Sequence, residues 1–307
     1  MNLFVTIFLD NIAPLFLIAL IGWMLAKKFS IDIYTLTKIN IYVFVPALVF
    51  VKIVETDITR DLLKGFLFTL VLMFIMSLIV GGVSRLRKNT PSVSRAMKNG
   101  VLFYNSGNMG LPLIMLVFND LPQAVSVQIM VMLAQNLTTN TLGLYNANRG
   151  NTDVKGSLLQ VMKTPSVYAV ALGFLFKLIK VDLSQFFLWP AGTFLSGGLV
   201  PVALLTLGVQ LSRVKMDFRN RDVYLTTFIR LIGGPLMAFL LISLFKLEGI
   251  MAQVLLISSA VPTAVNTALL AVEYHNEPEF ASQVVLIATL LSVFTLPIVI
   301  YLAQWLF

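Results

Sequence analysis

Tyr-Asn-Ser-Gly-Asn-Met-Gly-Leu-Pro-Leu, residues 104–113, lies in the middle of a hydrophobic segment that runs from about Met97 to Phe118. Proline removes a backbone donor and clashes with the preceding helical turn, and the small and polar residues before it give no packing reward for a straight helix. In a bilayer, an unwound backbone survives only where protein or a water-filled cavity surrounds it. The segment is long enough to span a membrane, so we predict a discontinuous helix that is broken at Pro112 and lines a cavity.

A similar interruption follows about 150 residues later, where residues 258–266 read Ser-Ser-Ala-Val-Pro-Thr-Ala-Val-Asn. Two interrupted hydrophobic segments in matching places of two halves are the strongest sequence indication of a transporter binding site. We therefore predict that the segments broken at Pro112 and Pro262 lie face to face.

The composition is that of a membrane protein. Of the 307 residues, 58% are hydrophobic and only 12% are charged, and the mean hydropathy is +0.90. Soluble domains carry roughly 25% charged residues, so an ordinary water-soluble fold is excluded. The net charge of +8 does not indicate nucleic-acid binding, because the basic residues lie between apolar spans and not on one soluble face.

The residues that enzymes and metal sites use are scarce. There is no cysteine and a single histidine, His275, which excludes disulfides, thiolate metal sites and a histidine-rich metal centre. The sequence also lacks a Walker loop, a dinucleotide fingerprint and a paired-histidine metalloprotease signature. No aspartate or glutamate lies in the middle of a span, so a carboxylate proton relay is not indicated. We expect no enzyme activity, no cofactor and no metal site.

Hydropathy and helix breakers predict ten membrane spans. Their approximate bounds are 8–26, 39–54, 62–83, 97–118, 123–145, 165–179, 187–211, 223–245, 250–274 and 280–307. The first apolar run lacks a basic leader region and a small-residue cleavage site, so we expect it to be retained as a span. A short polar connector at 146–163 separates a first five-helix unit, 1–145, from a second, 164–307.

The two halves resemble each other in the order of their prolines and glycines. Pro14 and Gly22 match Pro165 and Gly173, and two further proline pairs follow at nearly the same spacing: Pro46 with Pro201 and Pro112 with Pro262. Matches in chain order at nearly constant spacing indicate an internal repeat. Because each repeat has an odd number of spans, we expect the second copy to be inverted.

The distribution of lysine and arginine predicts the orientation. Loops after the odd-numbered spans carry 15 of these residues, and the loops on the opposite face carry 6. By the positive-inside rule the richer face is cytoplasmic. This places the connector at 146–163 in the cytoplasm and both termini outside a cell membrane.

Candidate binding residues cluster at the first break. Asn105 and Asn108 share one helix face ahead of Pro112, where their amides could bind a ligand or satisfy freed carbonyls. The alternative is that they only hold helices together, at about 1 kcal/mol each. We interpret them as cavity-lining, and we expect Gly107 and Gly110 to permit close backbone approach.

The second break offers Pro262, Thr263 and Asn266, for which the same two interpretations stay open. If the broken spans cross, two half-helix N-termini meet near the midplane, each with roughly half a positive charge. An anion, and a carboxylate above all, is a natural ligand for such ends. The pattern thus predicts an anionic substrate.

Polar residues also occur within two other spans. Gln128, Gln135 and Thr139 form a stripe that should face the adjacent broken segment, as structural hydrogen-bonding groups or as part of the cavity lining. Arg230 is the one clear charge inside a span. It either extends to the cytoplasmic surface or binds the substrate or a counter-ion.

Residues 105–112, Asn-Ser-Gly-Asn-Met-Gly-Leu-Pro, resemble the fourth-span motif of the auxin efflux carrier family, which includes bacterial malate and malonate permeases. Residues 261–266 and the closing Thr-Leu-Pro at 295–297 are similar to the ninth and tenth spans. The resemblance covers the whole chain. It implies an all-α polytopic membrane protein with ten transmembrane helices in two inverted five-helix repeats, in which helices four and nine are broken crossover helices.

The resemblance has further implications. Spans three to five and eight to ten would move like an elevator against a scaffold made of the others, and two copies would form a homodimer through that scaffold. Asn105, Asn108, Pro112 and Pro262 would carry the crossover. The short connector differs from the long cytoplasmic loop of plant members and favours a bacterial-type permease.

Three hypotheses of function follow. The first is a secondary carrier for small organic anions such as malate or malonate. The second keeps the ten-helix plan but makes the chain a sodium-coupled bile-acid-type symporter or a drug/metabolite exporter. The third, an intramembrane enzyme or a signalling scaffold, is disfavoured, because no catalytic groups cluster at depth and a scaffold needs no broken helices.

Overall fold

The computed structural model describes residues 3–55, 60–148, 164–179, 186–214 and 220–307, together with Met162 and Leu183. Most of the connector predicted at 146–163 lies outside the described residues. The same is true of Lys215 and Arg219, which contribute to the charge count of the loops.

The described part of the chain is helical, with short π-helical turns inside several helices. We number the helices in chain order. They are α1 (Val5–Lys28), α2 (Ile33–Glu55), α3 (Arg60–Leu86), α4 (Pro91–Leu102), α5 (Ser106–Val117), α6 (Pro122–Thr138, continued to residue 147), α7 (Pro165–Leu178), α8 (Trp189–Leu211), α9 (Arg221–Leu244), α10 (Gly249–Ser259), α11 (Val265–Glu273) and α12 (Pro278–Leu306).

Six of these helices are long and apolar enough to cross a membrane: α1, α2, α3, α8, α9 and α12. Three others, α5, α7 and α10, are apolar but shorter. Two of the short ones, α5 and α10, belong to interrupted segments. These two short helices therefore arise where one hydrophobic segment is divided in two.

The fourth hydrophobic segment is broken, but the prediction that it breaks at Pro112 is wrong. Helix α4 ends at Leu102, residues 103–105 are not helical, and α5 starts with a π-helical turn at Ser106–Gly110. Pro112 follows in the first turn of the α-helical part of α5. Proline is tolerated there because it directly follows the π-helical turn, and such a turn is one of the local adjustments that accommodate the hydrogen bond a proline removes inside a helix.

The ninth hydrophobic segment is broken where it was predicted to be. Helix α10 ends at Ser259 and α11 begins at Val265, so that Pro262 lies in the middle of the non-helical stretch. Ala264, the residue before α11, has an extended backbone.

The two breaks meet, as predicted, and they do so through the backbone. Tyr104 and Thr263 form an isolated antiparallel bridge. The amide of Asn105 donates to the carbonyl of Pro262 at 2.8 Å, and the amide of Ala264 donates to the carbonyl of Phe103 at 2.9 Å. These bonds satisfy peptide groups that the interruption of both helices releases, and in an apolar surrounding each unsatisfied group would cost several kcal/mol.

Helices α1 and α8 contact each other backbone to backbone. A Cβ added at Gly208 would overlap the carbonyl oxygen of Ala19 and lie 2.7 Å from the amide nitrogen of Trp23. A Cβ added at Gly22 would overlap the carbonyl oxygen of Leu205. Small residues at such interfaces let helices in membranes approach closely enough to gain van der Waals energy.

Candidate functional site

A cavity of about 250 Å³ opens beside the crossing of the two broken segments. One wall comes from the crossing itself, residues 104–108 and 264–266, and a second comes from α6. The third wall comes from residues of α2, α7 and α8, among them Asn40, Ser166 and Thr206. The cavity is thus bounded by both broken segments and by helices that belong to neither.

The structure divides the predicted site residues into two groups of equal size. Those that line the cavity are Asn105, Gly107, Asn108, Gln135, Thr139 and Asn266. Those that do not are Gly110, Pro112, Gln128, Arg230, Pro262 and Thr263.

The lining is rich in carboxamides. It includes Asn40, Asn105, Asn108, Gln135, Asn136, Asn140 and Asn266, and none of the described residues that line it is charged. Two of these amides have unused hydrogen-bonding capacity among the described residues. The side-chain nitrogen of Asn105 and the side-chain oxygen of Asn40 are buried without a partner, in residues that are only 6% and 3% exposed. A ligand that accepts a bond from Asn105 and donates one to Asn40 would satisfy both groups.

Two helices begin at the cavity. The π-helical turn that opens α5 begins at Ser106 and α11 begins at Val265, and both residues line it. The first N–H groups of a helix have no partner inside the helix, and the helix macrodipole places partial positive charge there. The crossing therefore presents positive potential to the cavity although no cationic side chain among the described residues lines it.

Gln135 has both of the roles that the sequence left open, structural hydrogen bonding and lining of the cavity. Its side-chain nitrogen donates to the carbonyl of Leu102 at 3.3 Å, and its side-chain oxygen accepts from the amide of Tyr104 at 3.2 Å. Both partners are backbone groups at the first break. Gln135 thus replaces helical hydrogen bonds that the interruption removes while it also forms part of the cavity wall.

Gln128 and Thr263 do not line the cavity, but their hydrogen bonds stabilise the crossing. The side-chain nitrogen of Gln128 donates to the carbonyl of Ser106 at 2.8 Å, and its side-chain oxygen accepts from the hydroxyl of Ser258. The hydroxyl of Thr263 donates to the carbonyl of Gly100 at 2.7 Å. These bonds join α6, the first break and the second break.

Gly110 leaves room for the Gln128 amide. A Cβ added at Gly110 would lie 2.7 Å from the side-chain nitrogen of Gln128, whereas one added at Gly107 would meet only the sulfur of Met132 at 3.6 Å. We predict that Gly110→Ala lowers the free energy of unfolding by roughly 1–3 kcal/mol, the usual cost of overpacking. Gly107→Ala is the control and should change it by no more than about 0.5 kcal/mol. Thermal melting of both variants in detergent measures the difference, and equal melting temperatures would show that this contact is unimportant.

Arg230 pairs with backbone carbonyls at the crossing. The residue is 2% exposed, so it does not reach the surface, and it does not line the cavity. Its guanidinium donates to the carbonyl of Val101 at 2.8 Å and to the carbonyl of Ser259, and it lies 4.7 Å from the centre of the Tyr104 ring. These carbonyls belong to the last turns of α4 and α10, where the macrodipole is negative. Arg230 therefore balances the two C-terminal ends at the crossing.

The sequence did not predict the third wall of the cavity. Asn40 donates to the hydroxyl of Thr206 at 3.3 Å, which joins α2 to α8 behind the cavity. The only available signal was a polar residue inside an otherwise apolar span.

Among the described residues, no group of three or more histidine, aspartate, glutamate or cysteine side chains could hold a metal ion.

Comparisons with known proteins agree with these features. A family model described as "Membrane transport protein" matches residues 7–300. An uncharacterized transporter of Methanothermobacter thermautotrophicus is 23% identical over 304 residues, which cover 94% of this chain and 96% of the relative. An uncharacterized transporter of Methanocaldococcus jannaschii is 25% identical over 301 residues, with coverages of 92% and 95%. The uncharacterized transporter YfdV of Escherichia coli is 23% identical over 316 residues, with coverages of 97% and 98%.

Proposed function

The chain belongs to the membrane transport protein family, the auxin efflux carrier family that residues 105–112 resemble, and on this basis we propose that it is a secondary carrier for small organic anions. The observation that carries the proposal is the cavity at the crossing. Two helix N-termini and the side-chain nitrogen of Asn105, which has no partner among the described residues, point to a ligand that accepts hydrogen bonds and carries negative charge. Carboxylates are such ligands, and malate and malonate are the first compounds to assay.

We propose ten spans in two inverted five-helix repeats. Reciprocal packing supports this arrangement. Gly22 of the first span contacts Leu205 of the seventh, and in the other half Gly173 of the sixth span contacts Ile53 of the second. An inverted repeat requires such an exchange of partners, because each half contributes one helix to either pair.

We propose an elevator-like alternation of access, in which α3–α6 and α9–α12 move against α1, α2, α7 and α8. The cavity lies between these groups, since the crossing and α6 supply two of its walls and Asn40, Ser166 and Thr206 supply the third. A substrate held by the crossing would lose its contacts with the third wall when the groups shift.

The charge distribution and the resemblance further support termini outside the cell membrane, a cytoplasmic connector and a homodimer formed through α1, α2, α7 and α8.

Uptake of labelled malate and malonate into proteoliposomes tests the proposed function. We predict that Asn108→Ala lowers uptake by roughly 10–100-fold, because a hydrogen bond to a charged group is worth about 1.5–3 kcal/mol. Asn89→Ala, in the loop before α4 and away from the cavity, should transport at the wild-type rate. Repeating the assay without sodium distinguishes the sodium-coupled alternative. Wild-type rates in Asn108→Ala would contradict the site, and no uptake of any carboxylate would contradict the proposed substrate class.

A further inference from the structure

An apolar groove of about 490 Å³ lies between α12 and the pair formed by α1 and α8. Its lining includes Phe16, Leu20 and Trp23 of α1, Leu211 of α8, and Leu286 and Leu290 of α12. Several of these side chains are substantially exposed, with Leu20 at 49% and Leu290 at 45%. In a membrane protein such a groove is open to hydrocarbon chains.

A basic pocket adjoins one end of the groove. It is lined by residues 26–32 and by Ser212 and Arg213, and so contains the cations of Lys27, Lys28 and Arg213. Lys27 and Ser212 line both the groove and the pocket, so the two are continuous. The pocket is also held together, because Lys27 donates to the carbonyl of Ser212 at 3.0 Å and Arg213 donates to the carbonyl of Ile31 at 2.8 Å.

One carboxylate, that of Asp32, also lines the basic pocket. It is engaged at the start of α2, where it accepts from the hydroxyl of Thr35 at 2.6 Å and from the amides of Tyr34 and Thr35 at 3.1 Å. These bonds, the Thr35 hydroxyl first, hold the pKa of Asp32 below its ordinary value, with Arg213 contributing. With one anion against three cations, the pocket keeps an excess of two positive charges.

We propose that the groove and the pocket together bind one anionic phospholipid, with an acyl chain against α12 and the phosphate against Lys27, Lys28 and Arg213. The position along α1 supports a lipid as the occupant. Lys27 and Lys28 are the last residues of this spanning helix, and Trp23 stands one turn before Lys27, 40% exposed. Tryptophan and lysine at a helix end are typical of the headgroup level, and basic pockets between spanning helices bind anionic headgroups.

The proposal concerns binding, and it does not depend on which substrate the protein carries. Native mass spectrometry of the purified full-length protein in detergent measures it, with dioleoyl phosphatidylglycerol and dioleoyl phosphatidylcholine as probes. The two lipids have identical chains, so a difference reports the headgroup. We expect phosphatidylglycerol to bind roughly tenfold tighter or more, because each basic residue near an anionic headgroup adds to the attraction.

Two variants and one control locate the site. Lys27→Gln combined with Lys28→Gln should abolish the preference for phosphatidylglycerol, whereas Arg85→Gln combined with Lys98→Gln, which removes two cations elsewhere, should retain it. Leu290→Trp, which fills the groove without changing the charge, should weaken the binding of phosphatidylglycerol by a similar factor. If both charge variants behave alike, or if Leu290→Trp binds as the wild type does, the composite site is wrong. Competition by soluble glycerol 3-phosphate alone would equally overturn the proposal, since it would assign a phosphate site in place of a lipid site.

Discussion

Replacing Gly208 with alanine is expected to prevent α1 and α8 from packing and to cause most of the folded protein to be lost. The added Cβ would overlap the carbonyl oxygen of Ala19 and lie 2.7 Å from the amide nitrogen of Trp23. Both are backbone atoms, so no side-chain rotation can relieve the clash and the helices must separate. Overpacking costs typically about 1–3 kcal/mol, and we expect a value at or above the upper end.

Size-exclusion chromatography and thermal melting of detergent-solubilised protein measure this loss. Gly197→Ala is the matched control, because Gly197 lies on the same helix and a Cβ there would meet nothing within 4 Å. The control should elute and melt like the wild type, and Gly208→Ala should aggregate or melt more than about 5 °C lower. A monodisperse Gly208→Ala protein with an unchanged melting temperature would contradict the close contact between the two helices.

Ala264→Pro is expected to lower transport at least about tenfold by removing one of the two backbone hydrogen bonds at the crossing. Ala264 has φ −69° and ψ 137°, values that proline adopts, so the change does not strain the backbone of residue 264 itself. It does remove the amide that donates to the carbonyl of Phe103 at 2.9 Å, and it places the proline ring against that oxygen. A buried carbonyl left without a donor costs roughly 1–3 kcal/mol.

Ala264→Ser provides the control, since serine retains the amide and adds only a hydroxyl at the cavity wall. Proteoliposome uptake with a substrate that the wild type carries should fall at least about tenfold in the proline variant and stay within about twofold in the serine variant. Equal rates in the two variants would mean that the bond between Ala264 and Phe103 does not hold the crossing together.

The sequence predicted that two hydrophobic segments are interrupted and that the interruptions meet. The interruptions followed from local composition, because small, polar and proline residues inside an apolar segment disfavour a continuous helix. Their meeting was predicted from their matching places in the two halves. The position of the first break did not follow. Proline can interrupt a helix or be accommodated inside one, and Pro112 lies inside α5, directly after its π-helical turn. The partners that fix the break, Gln135 for Tyr104 and Pro262 for Asn105, are distant in the sequence.

The hydrogen-bond partners of Arg230 could not be predicted from the sequence either. A charge eight residues into a span indicates only that the cation must be compensated. Its partners are carbonyls 129 and 29 residues away, at Val101 and Ser259. Asn40 was missed for a related reason. Its place on the cavity wall depends on how α2 packs, and the neighbouring residues in the sequence do not indicate that packing. The existence of the two breaks could thus be predicted from the sequence, whereas the walls of the cavity depend on tertiary packing.

The antiparallel bridge between Tyr104 and Thr263 has an evolutionary consequence. The two bonds that flank it run from main chain to main chain, so they place almost no demand on which side chains stand at positions 103, 105, 262 and 264. Substitution at these four positions therefore leaves the two bonds in place, provided that neither residue 105 nor residue 264 becomes proline. Relatives that match over nearly their whole length at only 23–25% identity are compatible with such tolerance.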